Sequence, residues 1–216
     1  MQLSFNILKF NGWRYFFLLI GLTFLPILAI NYLFLTADLY YQSYGDQLNN
    51  FRISKLIEIS QKWQWIGYIF IPIAILIRVC FTAICLYTGS FLANIKIGFN
   101  QTFRIALISD FVFVSGDMVK LVILIFFKNI STISDLQIQP LSLLQLFEQS
   151  SVDPIFIYPL SLINFFELIY WLVLAKVLSV EIGQSFDQSI KEVASSYGVG
   201  LLLWVLFIMF LNVNLT

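Results

Sequence analysis

Five ionisable residues stand inside otherwise apolar stretches of the chain: Arg78, Asp110, Asp117, Lys120 and Glu167. Charges in that setting carry proton relays, ion paths or helix pairing, because an isolated one costs at least about 2.5–3.5 kcal/mol on insertion scales. Spacing narrows the chemistry. Asp110 and Asp117 are seven residues apart, hence on nearly one helical face, and Lys120 follows Asp117 by about one turn. Their carboxyls would lie about 10 Å apart along the axis, whereas a carboxylate dyad needs oxygens about 3 Å apart. Ser115 and Lys120 are five apart and face different ways, which argues against a Ser–Lys dyad. Asn164 and Tyr170, one turn either side of Glu167, add hydrogen-bonding groups.

Other chemistry is excluded by absence. The sequence has no histidine, so it has no imidazole for a triad, for a general base near neutrality or for a typical zinc or haem site. Cys80 and Cys85 are five apart, about 140° around a helix, and read as small apolar residues with no bridge between them. The 12 basic and 12 acidic residues cancel, leaving no global field for nucleic acid or an acidic partner. The expectation is a non-enzymatic protein with no cofactor and no metal.

The elements that must position these charges are membrane helices. Of 216 residues, 60% are apolar and 11% charged, and mean hydropathy is +0.89, well above the roughly 45–50% apolar content of soluble domains. Apolar segments fall at about 15–36, 65–94, 103–127, 154–178 and 193–212, each near the ~20 residues that cross a bilayer core. The fold class expected is therefore all-α: a polytopic bundle of about five transmembrane helices plus short interfacial helices, forming one integral-membrane domain over residues 1–216. Counted from the proposed outer edges, Arg78, Asp117 and Glu167 all fall near mid-bilayer, where they must pair or the carboxyls must stay protonated. Structural pairing, transport of protons or solute, and other roles all remain open for this cluster.

With the N-terminus inside, Lys9, Arg14, Lys96, Arg104, Lys176 and Lys191 are cytoplasmic against Arg52, Lys55, Lys62 and Lys128 outside, a modest bias for that direction. Five spans then leave the C-terminus outside. The first apolar segment is too long for a signal-peptide core, and Leu35-Thr36-Ala37 is a poor cleavage site, so it is expected to stay attached as a span. Pro26 is expected to kink it. Trp13, Trp63, Trp65 and Tyr197 fall near span ends, where amphipathic rings favour headgroups. Residues 49–64 read as an amphipathic helix at the outer interface, and the leucines after Pro140 as a second such element.

The two cytoplasmic loops echo each other. Phe99-Asn100-Gln101-Thr102-Phe103-Arg104 matches Phe186-Asp187-Gln188-Ser189-Ile190-Lys191 as aromatic, Asx, Gln, hydroxyl, apolar, cation, after Ile97-Gly98 and Ile182-Gly183. Two readings fit: spans two and three repeat as four and five, or both segments are simply polar helix starts with a cation at the headgroups. Ile182, Phe186, Ile190 and Val193 form a stripe suited to the inner membrane surface.

The span distribution, the run Leu162-Ile163-Asn164-Phe165-Phe166-Glu167-Leu168-Ile169-Tyr170-Trp171 and the later Tyr197-Gly198-Val199-Gly200 resemble the Yip (Ypt-interacting) family of five-span membrane proteins, in its bacterial form. The similarity runs from about Phe99 to the C-terminus. It implies a five-helix bundle with a cytoplasmic N-terminus. In the eukaryotic branch it implies roles in vesicle traffic through small GTPases and partner membrane proteins. Only about 14 residues precede the first span here, in place of the long acidic N-terminal region of those members, so GTPase binding is not carried over. The expected setting is a bacterial inner membrane, with the lipid bilayer and other membrane proteins or further copies of the chain as partners. The competing readings are a small transporter or channel subunit using Arg78, Asp117 and Glu167, and a subunit of a larger complex.

Overall fold

The computed structural model describes residues 12–147 and 152–215. Lys9, counted above among the cytoplasmic cations, lies outside them. Among the described residues the regular structure is helical, without a β-strand. The helices are α1 (Gly12–Phe34), α2 (Ala37–Tyr44), α3 (Asn50–Leu92), α4 (Phe99–Ser109), α5 (Phe111–Phe126), α6 (Pro154–Leu162), α7 (Phe165–Ile182), α8 (Phe186–Val193) and α9 (Val199–Leu215), with a π-turn at Ala194–Gly198 joining the last two.

Among the described residues three helical segments are long and apolar enough to cross a membrane: Gly12–Phe34, Asn50–Leu92 and Phe186–Asn214. The expected spans at 103–127 and 154–178 are not single helices. The first breaks at Asp110 and the second at Ile163–Asn164. The second break has a clear physical cause. Asn164 takes an extended conformation and its side chain caps α7 by accepting from the Glu167 N–H at 2.9 Å. Residues 141–143 then pair with the opened backbone, Leu143 N–H donating to Ile163 C=O at 2.9 Å and Phe165 N–H to Leu141 C=O at 3.1 Å. Backbone groups freed from the helix are thus met by protein, as an apolar setting requires. The leucines after Pro140 accordingly form a short 3₁₀ turn, Leu143–Leu146, beside this stitch.

The amphipathic stretch at 49–64 is likewise not a separate interfacial helix. Asn49 caps the Arg52 N–H, and α3 runs from there unbroken through Pro72 for 43 residues. At 1.5 Å per residue that is about 65 Å, twice a hydrocarbon core of about 30 Å. α1 also continues through Pro26, whose side chain is buried.

Three apolar clusters hold the helices. Leu19 of α1 joins Ile75, Val79 and Ala83 of α3 and Ala106, Leu107 and Val114 of α4 and α5. Leu86, Ile105, Tyr170, Leu174, Leu178, Val193 and Tyr197 form the second, between α3, α4, α7, α8 and the π-turn. The third, Leu39, Leu124 and Leu136, closes the far end of α1. Of the stripe Ile182, Phe186, Ile190 and Val193, Val193 is fully buried and Ile182 and Ile190 pack on the second cluster, while Phe186 is exposed. Close approach between elements needs glycine at several points, Gly89 and Gly200 among them. A Cβ on Gly89 would overlap Ser196 of the π-turn, and one on Gly200 would overlap Cys85.

Outside the helices, Asp135 fastens the segment after α5. Its carboxylate pairs with Lys128 at 3.0 Å and accepts from the Thr132 N–H and hydroxyl at 2.8 and 2.9 Å and the Ser131 N–H at 3.1 Å. Partial desolvation opposes ionisation, but the bonds from Lys128, Thr132 and Ser131 outweigh it and hold this carboxyl well below the usual carboxylate range.

Two outcomes follow. Gly89→Val should cost about 1–3 kcal/mol through overpacking against the π-turn, read as a lower unfolding midpoint in detergent. Gly21→Ala, where a Cβ meets nothing, should leave that midpoint unchanged or slightly raised. Because the folded carboxyl of Asp135 titrates below its unfolded value of about 3.9, its contribution is complete above that pH and lost only as pH falls through the lowered value. Hydrogen-exchange protection of residues 131–137 should therefore fall in Asp135→Asn by the same factor at pH 7 and pH 5, with wild type and variant converging only below about pH 4.

Candidate functional site

Arg78 projects from α3 to the point where α4 ends. There the Asp110 N–H still bonds to Ala106 C=O at 3.0 Å, but the helix restarts at Phe111. Arg78 Nε donates to Asp110 Oδ1 at 2.7 Å and its terminal nitrogen to Oδ2 at 2.6 Å. This is the forked, charge-assisted geometry in which arginine binds carboxylate best. The guanidinium also lies over the Phe113 ring, 4.3 Å from its centre. Asp110 is completely buried, while about 40% of the Arg78 side-chain surface stays uncovered, so the arginine acts as a lid on the acid.

A second polar contact stands beside the first. Glu167, in the first turn of α7, accepts from Tyr197 OH at 2.8 Å and from Trp171 Nε1 at 3.0 Å, both on Oε1. Tyr170 OH donates instead to Thr82 Oγ1 of α3 at 3.0 Å. Aromatic rings join the two contacts: Phe113 lies 4.8 Å from Tyr170, and Tyr170 lies 5.4 Å from Tyr197. Every member of this array is buried or partly buried, which makes each hydrogen bond costly to lose.

The two contacts correspond. α4 begins at Phe99 and α8 at Phe186, and eleven residues on from each stands Asp110 or Tyr197. Each of these sits at a helix irregularity and bonds back to the long helix before it, Asp110 to Arg78 and Tyr197 to Glu167. The packing also corresponds: α3 lies on α4 and α7 on α8, while α4 crosses to α7 and the π-turn crosses to α3. The flanking glycines differ. Gly98 caps the start of α4, whereas Gly183, at φ 68°, ends α7 and Ser185 caps α8.

The remaining residues singled out in the sequence are dispersed. Asp117 lies about 10 Å further along α5 than Asp110, and Arg78 pairs with neither Asp117 nor Glu167. Asp117 and Lys120 are partly buried, and among the described residues neither makes a hydrogen bond or ion pair. Gln101 ties α4 down, its Oε1 accepting from the Gly98 N–H at 2.9 Å and its Nε2 donating to Glu181 at 3.0 Å. Phe99 packs edge-on to Tyr87, and Phe186, Gln188 and Lys191 are exposed on α8. Arg104 is partly buried and lines a cleft at the start of α1. Tyr197, expected at a headgroup interface, is instead buried on Glu167 because the π-turn rotates it inward. Trp171 and Thr82 were not singled out in the sequence. The eleven-residue spacing from the loop motif is the signal that marks Tyr197.

Ring contacts fix the level of the ion pair along α1. Tyr15 packs on Phe111, the neighbour of Asp110, while Phe24 packs on Tyr68, ten residues before Arg78 on the antiparallel α3. Both contacts place the pair beside about residue 14, at the Arg14 end of α1 and not at its middle. Counting residues from assumed span edges missed this because α3 overruns α1 at both ends. Among the described residues three buried polar atoms lack a protein partner, Ser90 Oγ of α3 and Ser189 Oγ and Glu192 Oε1 of α8. Among the described residues no three Cys, Asp or Glu side chains gather to hold a metal ion.

No protein family, curated protein or solved structure matches the chain.

These contacts rank the acids. Asp110→Asn should cost about 3 kcal/mol of unfolding free energy, because it strips the charge from a sealed ion pair. Glu167→Gln should cost about 1–2 kcal/mol by weakening two donated hydrogen bonds. Asp117→Asn should change stability by no more than about 0.5 kcal/mol. Reversible unfolding of the purified variants in mixed micelles measures the order.

Proposed function

We propose that the chain is a five-span integral membrane protein that works without catalysis, by associating with other membrane proteins or further copies of itself or by organising lipid. That reading takes up the Yip-type resemblance of the run from Leu162 to Trp171 as a proposal, with no family match behind it. In this arrangement α1, α3 and α8–α9 cross as long helices, while α4–α5 and α6–α7 cross as broken ones. The N-terminus is cytoplasmic and the C-terminus outside, in a bacterial inner membrane. Broken helices suit this role where the opened backbone is covered by protein, as it is at Ile163–Asn164.

The observation that carries the reading is how the buried charges are used. Asp110 takes both its bonds from Arg78 of α3, and Glu167 accepts from Tyr197 of the π-turn as well as from Trp171 of its own helix, so these two acids tie separate elements together. The outward surface is apolar, with Phe126, Leu202 and Phe210 among the rings and chains more than half exposed. Such a surface fits lipid and neighbouring helices.

A second reading, passage of protons or solute, is favoured by one observation. Asp117 and Lys120 sit one turn apart on α5, partly buried and without hydrogen-bond partners. Neither the cleft at the start of α1 nor the one at its end includes them.

One pair of assays separates the two. After mild extraction from native membranes and cross-linking, the intact chain should carry a reproducible membrane-protein partner or a second copy, and reconstituted vesicles should show no proton or solute flux above protein-free controls. Flux that disappears in Asp117→Asn would replace association with transport.

A further inference from the structure

At the foot of α1, where α1, α3 and α4 meet, a half-open cleft of about 480 Å³ is walled by Trp13, Phe16, Leu76 and Phe103, with Asn100 and Arg104 at its polar edge. That is the size range of small-ligand pockets, which commonly pair apolar walls with a few polar groups. Its polarity is lopsided. Arg104 is partly buried yet makes no hydrogen bond, ion pair or ring contact among the described residues, and no acid lines the cleft. A guanidinium without a protein partner among the described residues offers five donors in a planar fork that matches a phosphate or carboxylate.

The surroundings identify the anion. Trp13, about two-thirds exposed, marks the end of α1, and Arg14 is exposed beside it. On the five-span reading, this end of α1 lies at the cytoplasmic headgroup level, where tryptophan and arginine are both favoured. Phe17 and Ile77, the chain neighbours of the cleft's Phe16 and Leu76, are each more than half exposed, so apolar surface adjoins the cleft. An occupant there must therefore offer an anion at one end and hydrocarbon at the other. The exposed Asn100 amide supplies a donor and an acceptor for a hydroxylated headgroup.

We infer that this cleft is a binding site for an anionic glycerophospholipid, with its phosphodiester on Arg104, its headgroup hydroxyls at Asn100 and one acyl chain along Phe16, Leu76 and Phe103. Occupancy would brace the start of α4 against α1, close to the Arg78–Asp110 pair. The inference rests on the five-span reading for its depth and adds the ligand class to it.

The test is native mass spectrometry of the detergent-purified full chain titrated with phosphatidylglycerol, phosphatidylcholine, diacylglycerol or glycerol 3-phosphate. Phosphatidylglycerol should be retained best. Arg104→Gln should weaken its retention about tenfold, the loss expected for one charge-assisted contact, with Arg104→Lys intermediate. Leu76→Trp, which fills the apolar floor and keeps the cation, should weaken it as well. On the unsubstituted chain, phosphatidylglycerol carrying a photoreactive acyl group should label peptides containing Phe16, Leu76 or Phe103 in preference to those from α9. Equal retention by Arg104→Gln and wild type, equal binding of diacylglycerol, or labelling spread evenly over the helices would overturn the site. Competition by glycerol 3-phosphate as strong as by the lipid would assign the cation to a free phosphate instead and also overturn it. Carbonate extraction of native membranes tests the reading beneath. A chain released by carbonate refutes the spans, whereas a retained chain with unchanged lipid binding in Arg104→Gln refutes only the site.

Discussion

A carboxylate with no contact to solvent must find its donors within the protein, and in this chain that requirement falls at the places where helices are interrupted. Asp110 is fully buried at the joint between α4 and α5, and what makes it tolerable is a forked pair of bonds from Arg78 on a different helix. Glu167 is met in a different way, by a phenol and an indole, with the phenol delivered by the π-turn before α9. A polar group that can be satisfied from only one direction fixes which helices are neighbours and in what register. Apolar packing alone, which tolerates sliding, does not do so as sharply.

The consequence is an architecture in two corresponding halves. In each, a long helix is followed by a short capped helix that begins with the aromatic–Asx–Gln motif, then by an irregular turn, then by an apolar helix. The irregular turn of each half bonds back to its own long helix, and the short helix or turn of each half packs across on the long helix of the other. Glycine permits the tightest crossing, Gly89 against Ser196. Much of the surface left over is apolar, on α1, α3 and α9 above all.

Much of this was legible in the sequence, and the misses have physical reasons. Helical class follows from long apolar runs without strand punctuation, and the ionisable residues inside those runs singled out Arg78, Asp117 and Glu167, with Asp110 and Lys120, as residues needing partners. The partner of Arg78 was not legible, since choosing Asp110 over Asp117 requires knowing that the helix breaks at Asp110. Nothing in Ile108-Ser109-Asp110-Phe111 carries a glycine or proline to announce that break. The interruption at Asn164 was hidden for a related reason. A capping asparagine within an apolar run reads equally as a buried hydrogen-bonding group, and only the segment around Ser142, 22 positions earlier, reveals which it is. The continuity of α3 was missed because amphipathic and apolar patterns adjoin at Gln64 with no breaker between them, so a change of environment was read as a change of element. Tyr197 was placed at an interface by composition, whereas the π-turn, which shifts side-chain phase, turns it inward.

The claim most exposed to disproof is that Arg78 and Asp110 act as a unit. A double-mutant cycle with Arg78→Gln, Asp110→Asn and the pair, measured by reversible unfolding in a lipid–detergent mixture, tests it directly. The account requires a coupling energy of about 1–3 kcal/mol, the double variant being less impaired than the sum of the singles. Effects that add to within about 0.5 kcal/mol would show that the two residues do not hold the bundle together through each other.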